Sequence, residues 1–148
     1  MSTRSSTRIP RRVADRRHTR GLIDTSVVID LELIEPAMLP LELAVSAVTM
    51  AELAAGPHAT ADPAERARRQ DRLQRAEATF EPLPMDAAVA RAYGRVYAAV
   101  GASGRKARGR RAVDLFIAAT AVSAGLPLYT RNPDDFAGLS DMLDIVSI

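Results

Sequence analysis

The chain has 148 residues, 47% of them hydrophobic and 26% charged, with two histidines and no cysteine. This balance describes one soluble globular domain able to bury a full core, and the lack of cysteine excludes disulfides and thiolate metal sites and suits a reducing, cytoplasmic compartment. The net charge of +2 is unevenly spread: residues 1–20 hold seven arginines (Arg4, Arg8, Arg11, Arg12, Arg16, Arg17 and Arg20) against Asp15, a local +6, so residues 21–148 carry −4.

Residues 1–20 show no apolar periodicity and are expected to be a disordered arm ahead of a domain spanning 21–148. Two readings fit the arm: a phosphate-binding tail, or a start codon assigned upstream of the true one. It lacks the apolar segment of a secretory signal. His18 and His58 fall in polar stretches without a second ligand at metal spacing and read as surface residues.

Gly21–Asp24 reads as a first strand and "TSVVIDLEL" as a short helix. Pro36 and Pro40 mark a loop. "LELAV" is a second strand, and Ser46 caps a helix through "AVTMAELAAG". Asp62 before Pro63 starts a strongly polar, exposed helix. "FEPLP" is expected to be a third strand. After Asp86, Val89, Tyr93, Val96 and Val100 fall on one helical face and form core. A basic loop, "RKARGRR" from Arg105 to Arg111, precedes a helix through "RRAVDLFIAATAVSAG". "LPLYT" is a fourth strand, "NPDDF" a turn into a short helix, and "LDIVSI" a last strand. Strands alternating with helices imply a three-layer α/β/α domain around a mainly parallel sheet of four to five strands.

In such sheets the functional crevice lies beyond the carboxyl ends of the strands. Four segments deliver carboxylates there: Asp24 ends strand one, Glu52 lies on the helix after strand two, Asp114 precedes strand four, and Asp134 and Asp135 follow it with Thr130 and Asn132. Each has a simpler explanation. Asp24 caps a helix, Glu52 closes a capping box with Thr49, Asp114 complements a helix dipole, and Asp134 or Asp135 caps the last helix. Convergence of all four favours a shared role. Crowded carboxylates repel, and a hard divalent cation relieves them. Without histidine ligands, Mg2+ or Mn2+ suits the set better than zinc.

"LIDTSVVID", "SAVTMAEL", "RRAVDLFIAATA" and "LYTRNPDDF", in this order and spacing, resemble the PIN-domain ribonucleases, and most closely the VapC toxins of bacterial toxin–antitoxin pairs. The likeness covers Gly21 to Ile148. It implies an Mg2+-dependent ribonuclease whose metal is held by Asp24, Asp114 and Glu52, with Thr25 or Ser26 supporting Asp24. The fourth acid varies in position within the family. Here Asp135, next to Phe136, is preferred, Asn132 is a polar helper and Asp134 the reserve. Arg105, Lys106, Arg108, Arg110 and Arg111 stand just upstream of Asp114, placed to hold an RNA backbone. The resemblance further implies a VapB-type antitoxin partner, a homodimer, and room for a second metal ion arriving with RNA.

Two other readings make distinct demands. A catalytically silent PIN-fold binding module would lack the acids, which are present. A phosphatase of the haloacid dehalogenase type needs a second Asp two residues after the first, where Ser26 stands.

Overall fold

The computed structural model describes residues 18–104 and 109–148. Four short strands, β1 (Arg20–Ile23), β2 (Glu42–Ala44), β3 (Leu128–Thr130) and β4 (Ile145–Ser147), form one sheet in the order β2-β1-β3-β4. Every pairing is parallel: Leu22 faces Ala44 on one side and Leu128 on the other, and Tyr129 faces Val146. Five α-helices cover the sheet among the described residues: α1 (Thr25–Ile29), α2 (Ala47–Ala55), α3 (Pro63–Thr79), α4 (Ala87–Ala102) and α5 (Arg110–Ala124).

Side-chain alternation along the strands divides the core in two. Leu22, Ala44 and Leu128 point to one face and pack with Val89, Val96 and Val100 of α4 and Leu115, Ile117 and Ala118 of α5. Ile23, Val45 and Tyr129 point to the other, against Val27 and Val28 of α1, Leu53 of α2 and Ala76 of α3. A parallel sheet covered on both faces explains why its strands read as near-continuous apolar runs. Gly21 permits this packing at β1. A Cβ there would stand 2.6 Å from Cε1 of Tyr129, so no larger residue fits beneath the ring.

The helix boundaries follow their caps. Ser46 accepts from the Thr49 amide, Asp62 from Ala64 and Asp86 from Val89. Gly125, at φ 66°, closes α5 in the left-handed conformation that glycine adopts without steric cost.

Three expectations need correction. "FEPLP" is not a strand: Pro82 and Pro84 have no N–H, and only Leu83 pairs, donating to Val45 O and accepting from Ala47 N, each at 2.8 Å. The helix after β1 breaks at Asp30 into a 3-10 turn, Leu31–Leu33. His18 is no plain surface residue. Its Nε2 stands 3.0 Å from Oδ2 of Asp144, and its ring meets Tyr129 edge-on at 6.2 Å. The sheet's pairing also reaches back before Gly21, for His18 O accepts from Leu41 N and Thr19 O from Glu42 N. Residues 1–17 of the arm lie outside the described residues.

Candidate metal centre

In parallel strands of one sheet, residues that follow the strands emerge at the same edge. Asp24 follows β1 and Thr130 ends β3, and the backbone links them, with the Asp24 amide donating to Tyr129 O at 3.1 Å. Asp24 is 5% exposed, a level at which a lone carboxylate is costly. Its Oδ1 accepts from the Val27 amide at 3.1 Å and from the Ser26 hydroxyl at 2.6 Å. The expected cap is therefore real. Both bonds fall on Oδ1, and Oδ2 has no hydrogen bond among the described residues. The Ser26 oxygen also accepts from the Arg131 amide at 3.1 Å, tying the segment after β3 to the first acid.

Glu52 is partly buried on α2, and it closes no capping box. Ser46 is the cap and Thr49 its partner, one turn ahead of Glu52. Its Oε1 instead accepts from the Thr25 hydroxyl at 2.5 Å. Thr25 and Thr49 oxygens lie 3.1 Å apart, and Ser46 and Thr49 oxygens 3.3 Å. A buried run of hydroxyls thus anchors Glu52 to α1. Because Thr25 has one proton and the carboxylate carries charge, that proton goes to Glu52.

Asp114 is the fifth residue of α5, beyond the first turn where the helix dipole acts, so a dipole role does not explain it. Its carboxyl is pushed from an ordinary 3.8 up to about 6. Burial is the largest cause, followed by the negative charges of Asp135, Glu52 and, more weakly, Asp24; Arg110 opposes the rise. The three neighbours that raise it are the other three preferred acids, so the four share one electrostatic neighbourhood. Asp134 is not among them; it lies exposed in the 3-10 turn Pro133–Phe136 beside partly buried Asp135. Neither caps that turn, whose capping position is Asn132, without a side-chain bond.

The polar helpers differ in their surroundings. Thr130 is fully buried and its hydroxyl oxygen accepts from the Asn132 amide at 3.0 Å. The Asn132 side chain is exposed and makes no hydrogen bond among the described residues. Arg110 is exposed at the start of α5, whereas Arg111 is partly buried and its Nη1 has no hydrogen bond among the described residues. Arg105, Lys106 and Arg108 lie outside the described residues.

The donor set is all oxygen, the chemistry of Mg2+ or Mn2+ rather than of softer metals. Among the described residues no three His, Asp or Glu side chains already stand as ligands about one point. The fit is therefore one of donor chemistry and shared negative potential, not of a closed cage. Neighbouring carboxylates repel one another, and a divalent cation held between them would offset that repulsion.

Sequence reading missed the hydroxyls of Thr49 and Ser46. The only signal was their spacing from Glu52, which also suits a capping box.

The family model for the PIN domain matches residues 21–141. Ribonuclease VapC5 of Mycobacterium tuberculosis is 40% identical over 122 residues, 80% of this chain and 87% of that protein. Ribonuclease VapC4 of the same organism is 35% identical over 133 residues, 87% of this chain and 97% of its own length. Among solved structures, a VapBC-5 toxin–antitoxin complex from M. tuberculosis contains a chain that superposes with a TM-score of 0.74 at 36% identity, covering 88% of this chain and 99% of that one. With a parallel sheet, an acid cluster at its carboxyl edge and a match over residues 21–141, the chain belongs to the PIN-domain family, in its VapC ribonuclease branch.

Proposed function

We propose that this protein is the toxin of a VapBC-type pair and hydrolyses RNA phosphodiester bonds at the Asp24, Glu52, Asp114 and Asp135 centre, with Mg2+ (or Mn2+) as cofactor. The observation that carries the assignment is the pair of hydrogen bonds that ties the Asp24 segment to Glu52 through Thr25 and to the segment bearing Asp135 through Ser26, with Asp114 in the same negative surroundings. Four structural carboxylates brought together without a cation would only weaken the fold.

A divalent cation bound there would supply charge to polarise the scissile phosphate and would make a bound water easier to deprotonate. Asp24 and Asp114 would hold it. Asp24 is fixed for this by Val27 and Ser26, and its Oδ2 is spared by both bonds. Glu52, locked by Thr25, would complete the ligand set or orient the attacking water. Asp135, in the turn after β3, would add a further carboxylate to that set. Thr130 and Ser26 position that segment rather than touch substrate.

The relatives' complexes support a VapB-type antitoxin as partner, and the homodimer implied by the resemblance is carried forward with it. Purified protein incubated with total RNA and Mg2+, followed by mapping of the new ends, tests the activity. Discrete metal-dependent ends support the assignment, and intact RNA under all metal conditions removes it.

A further inference from the structure

A cavity of about 350 Å³ opens beside the acid cluster, with Thr25 and Glu52 on one wall, α3 on another and Arg110 at its rim. Helix α3 is rich in arginine, and most of its guanidinium groups are already committed. Arg68 and Arg69 both pair with Glu65, at 2.7 and 3.0 Å, and Arg69 also donates to Gly56 O. Hydrogen bonds from both of these arginines hold the Glu65 carboxyl below its ordinary range. Arg66 donates to the carbonyls of Pro57 and Thr60, and Arg75 pairs with Glu32 at 2.9 Å. Arg72 alone on this helix lines the cavity with no ion pair or hydrogen bond among the described residues. Arg110 faces it from α5, likewise without an ion pair there.

We infer that Arg72 and Arg110 form a phosphate subsite next to the metal centre, gripping the RNA backbone beside the bond that is cut. This rests on the ribonuclease reading above and places part of the RNA grip on α3 instead of only on the loop before α5. A polyanion entering a cluster of four carboxylates meets repulsion that the metal offsets at one phosphate only. The strand on either side needs cationic partners of its own. Guanidinium groups bind phosphate in bidentate fashion, and two of them across one cavity fix a backbone direction as well as supply charge. RNA is favoured over an acidic protein segment because the cavity shares Glu52 with the centre where the phosphodiester reacts, so the strand must continue past it.

The test is binding of a short fluorescein-labelled, mixed-sequence single-stranded RNA in Ca2+, titrated over a series of salt concentrations. The proteins are wild type, Arg72→Gln, Arg110→Gln, the double variant, and Arg91→Gln with Arg95→Gln as a charge-matched control on the exposed face of α4. Each single change should weaken binding several-fold and lower the salt slope by about 0.7 to 1, the double variant by about twice that, with the control near wild type. Mn2+ affinity of the Arg72→Gln variant in the absence of RNA should stay within about twofold of wild type. A double variant with the wild-type slope, or a control that loses as much, overturns the subsite while leaving the nuclease reading intact. Loss of binding to a polyglutamate peptide with RNA binding unchanged also overturns it and assigns the arginines to an acidic protein segment. A wild-type protein that neither binds nor cuts RNA overturns both.

Discussion

The Thr25 hydroxyl donates to Oε1 of Glu52 at 2.5 Å, joining the residue after the first acid to the carboxylate of a different helix. A hydrogen bond to a charged group is worth about 1.5–3 kcal/mol, and a valine in its place leaves the carboxylate unpaired. Thr25→Val should therefore lower kcat/KM on RNA by about tenfold to a hundredfold, while Thr25→Ser keeps most of the activity. Equal rates for the valine and serine variants would show that this bond does not position Glu52.

Asp114 links the centre to pH. Its folded-state pKa is raised, so the folded protein holds this proton more tightly than the unfolded chain does. In metal-free protein the group costs nothing below its unfolded value of 3.8, and stability falls as pH rises from there through about 6. The unscreened cost would be near 3 kcal/mol, and partial exposure reduces it to about 1–2 kcal/mol. Asp114→Asn should remove this slope in denaturant unfolding measured between pH 4 and 7. Metal binding requires the ionised carboxylate, so Mn2+ affinity in the wild type should weaken as pH drops below about 6.

The contribution of His18 and Thr19 to the sheet can be tested by truncation. Deleting residues 1–17 should leave the melting temperature near that of the full chain. Deleting residues 1–19 removes the carbonyls of His18 and Thr19 that pair with Leu41 and Glu42, together with the His18–Asp144 contact. Two backbone hydrogen bonds and an exposed ion pair are worth about 2 kcal/mol, a drop of about 4–8 °C for a domain of this size. Equal melting temperatures would show that those contacts do not stabilise the sheet.

Much of this architecture was legible in the sequence because it rests on local rules. Asp62–Pro63, Asp86 and Ser46 mark helix starts through their own side chains, and the valines of α4 declare their buried face by spacing. "FEPLP" misled because its apolar residues suggest a strand while its prolines remove the amides a strand needs. His18 misled because its partner, Asp144, is 126 residues away and meets it only once the sheet is assembled. The acids were findable by their places after parallel strands. Which hydroxyl holds Glu52 was not, since Thr25, Ser46 and Thr49 meet through the packing of α1 on α2. The guanidinium of Arg72, unpaired among the described residues, was hidden for a similar reason: among five arginines on α3, only the folded pairings show which one is left over.

The central claim, that a carboxylate-bound metal at Asp24 cuts RNA, is tested most directly by Asp24→Asn. Asparagine retains the Oδ1 that caps α1 for Val27, so the fold should persist and the metal-free variant should melt at or above the wild-type temperature. Cleavage of RNA in Mg2+ should fall below detection in the variant, matching wild type in EDTA. An Asp24→Asn protein that cuts RNA at the wild-type rate, or wild-type protein that cuts equally well in EDTA, would contradict the account.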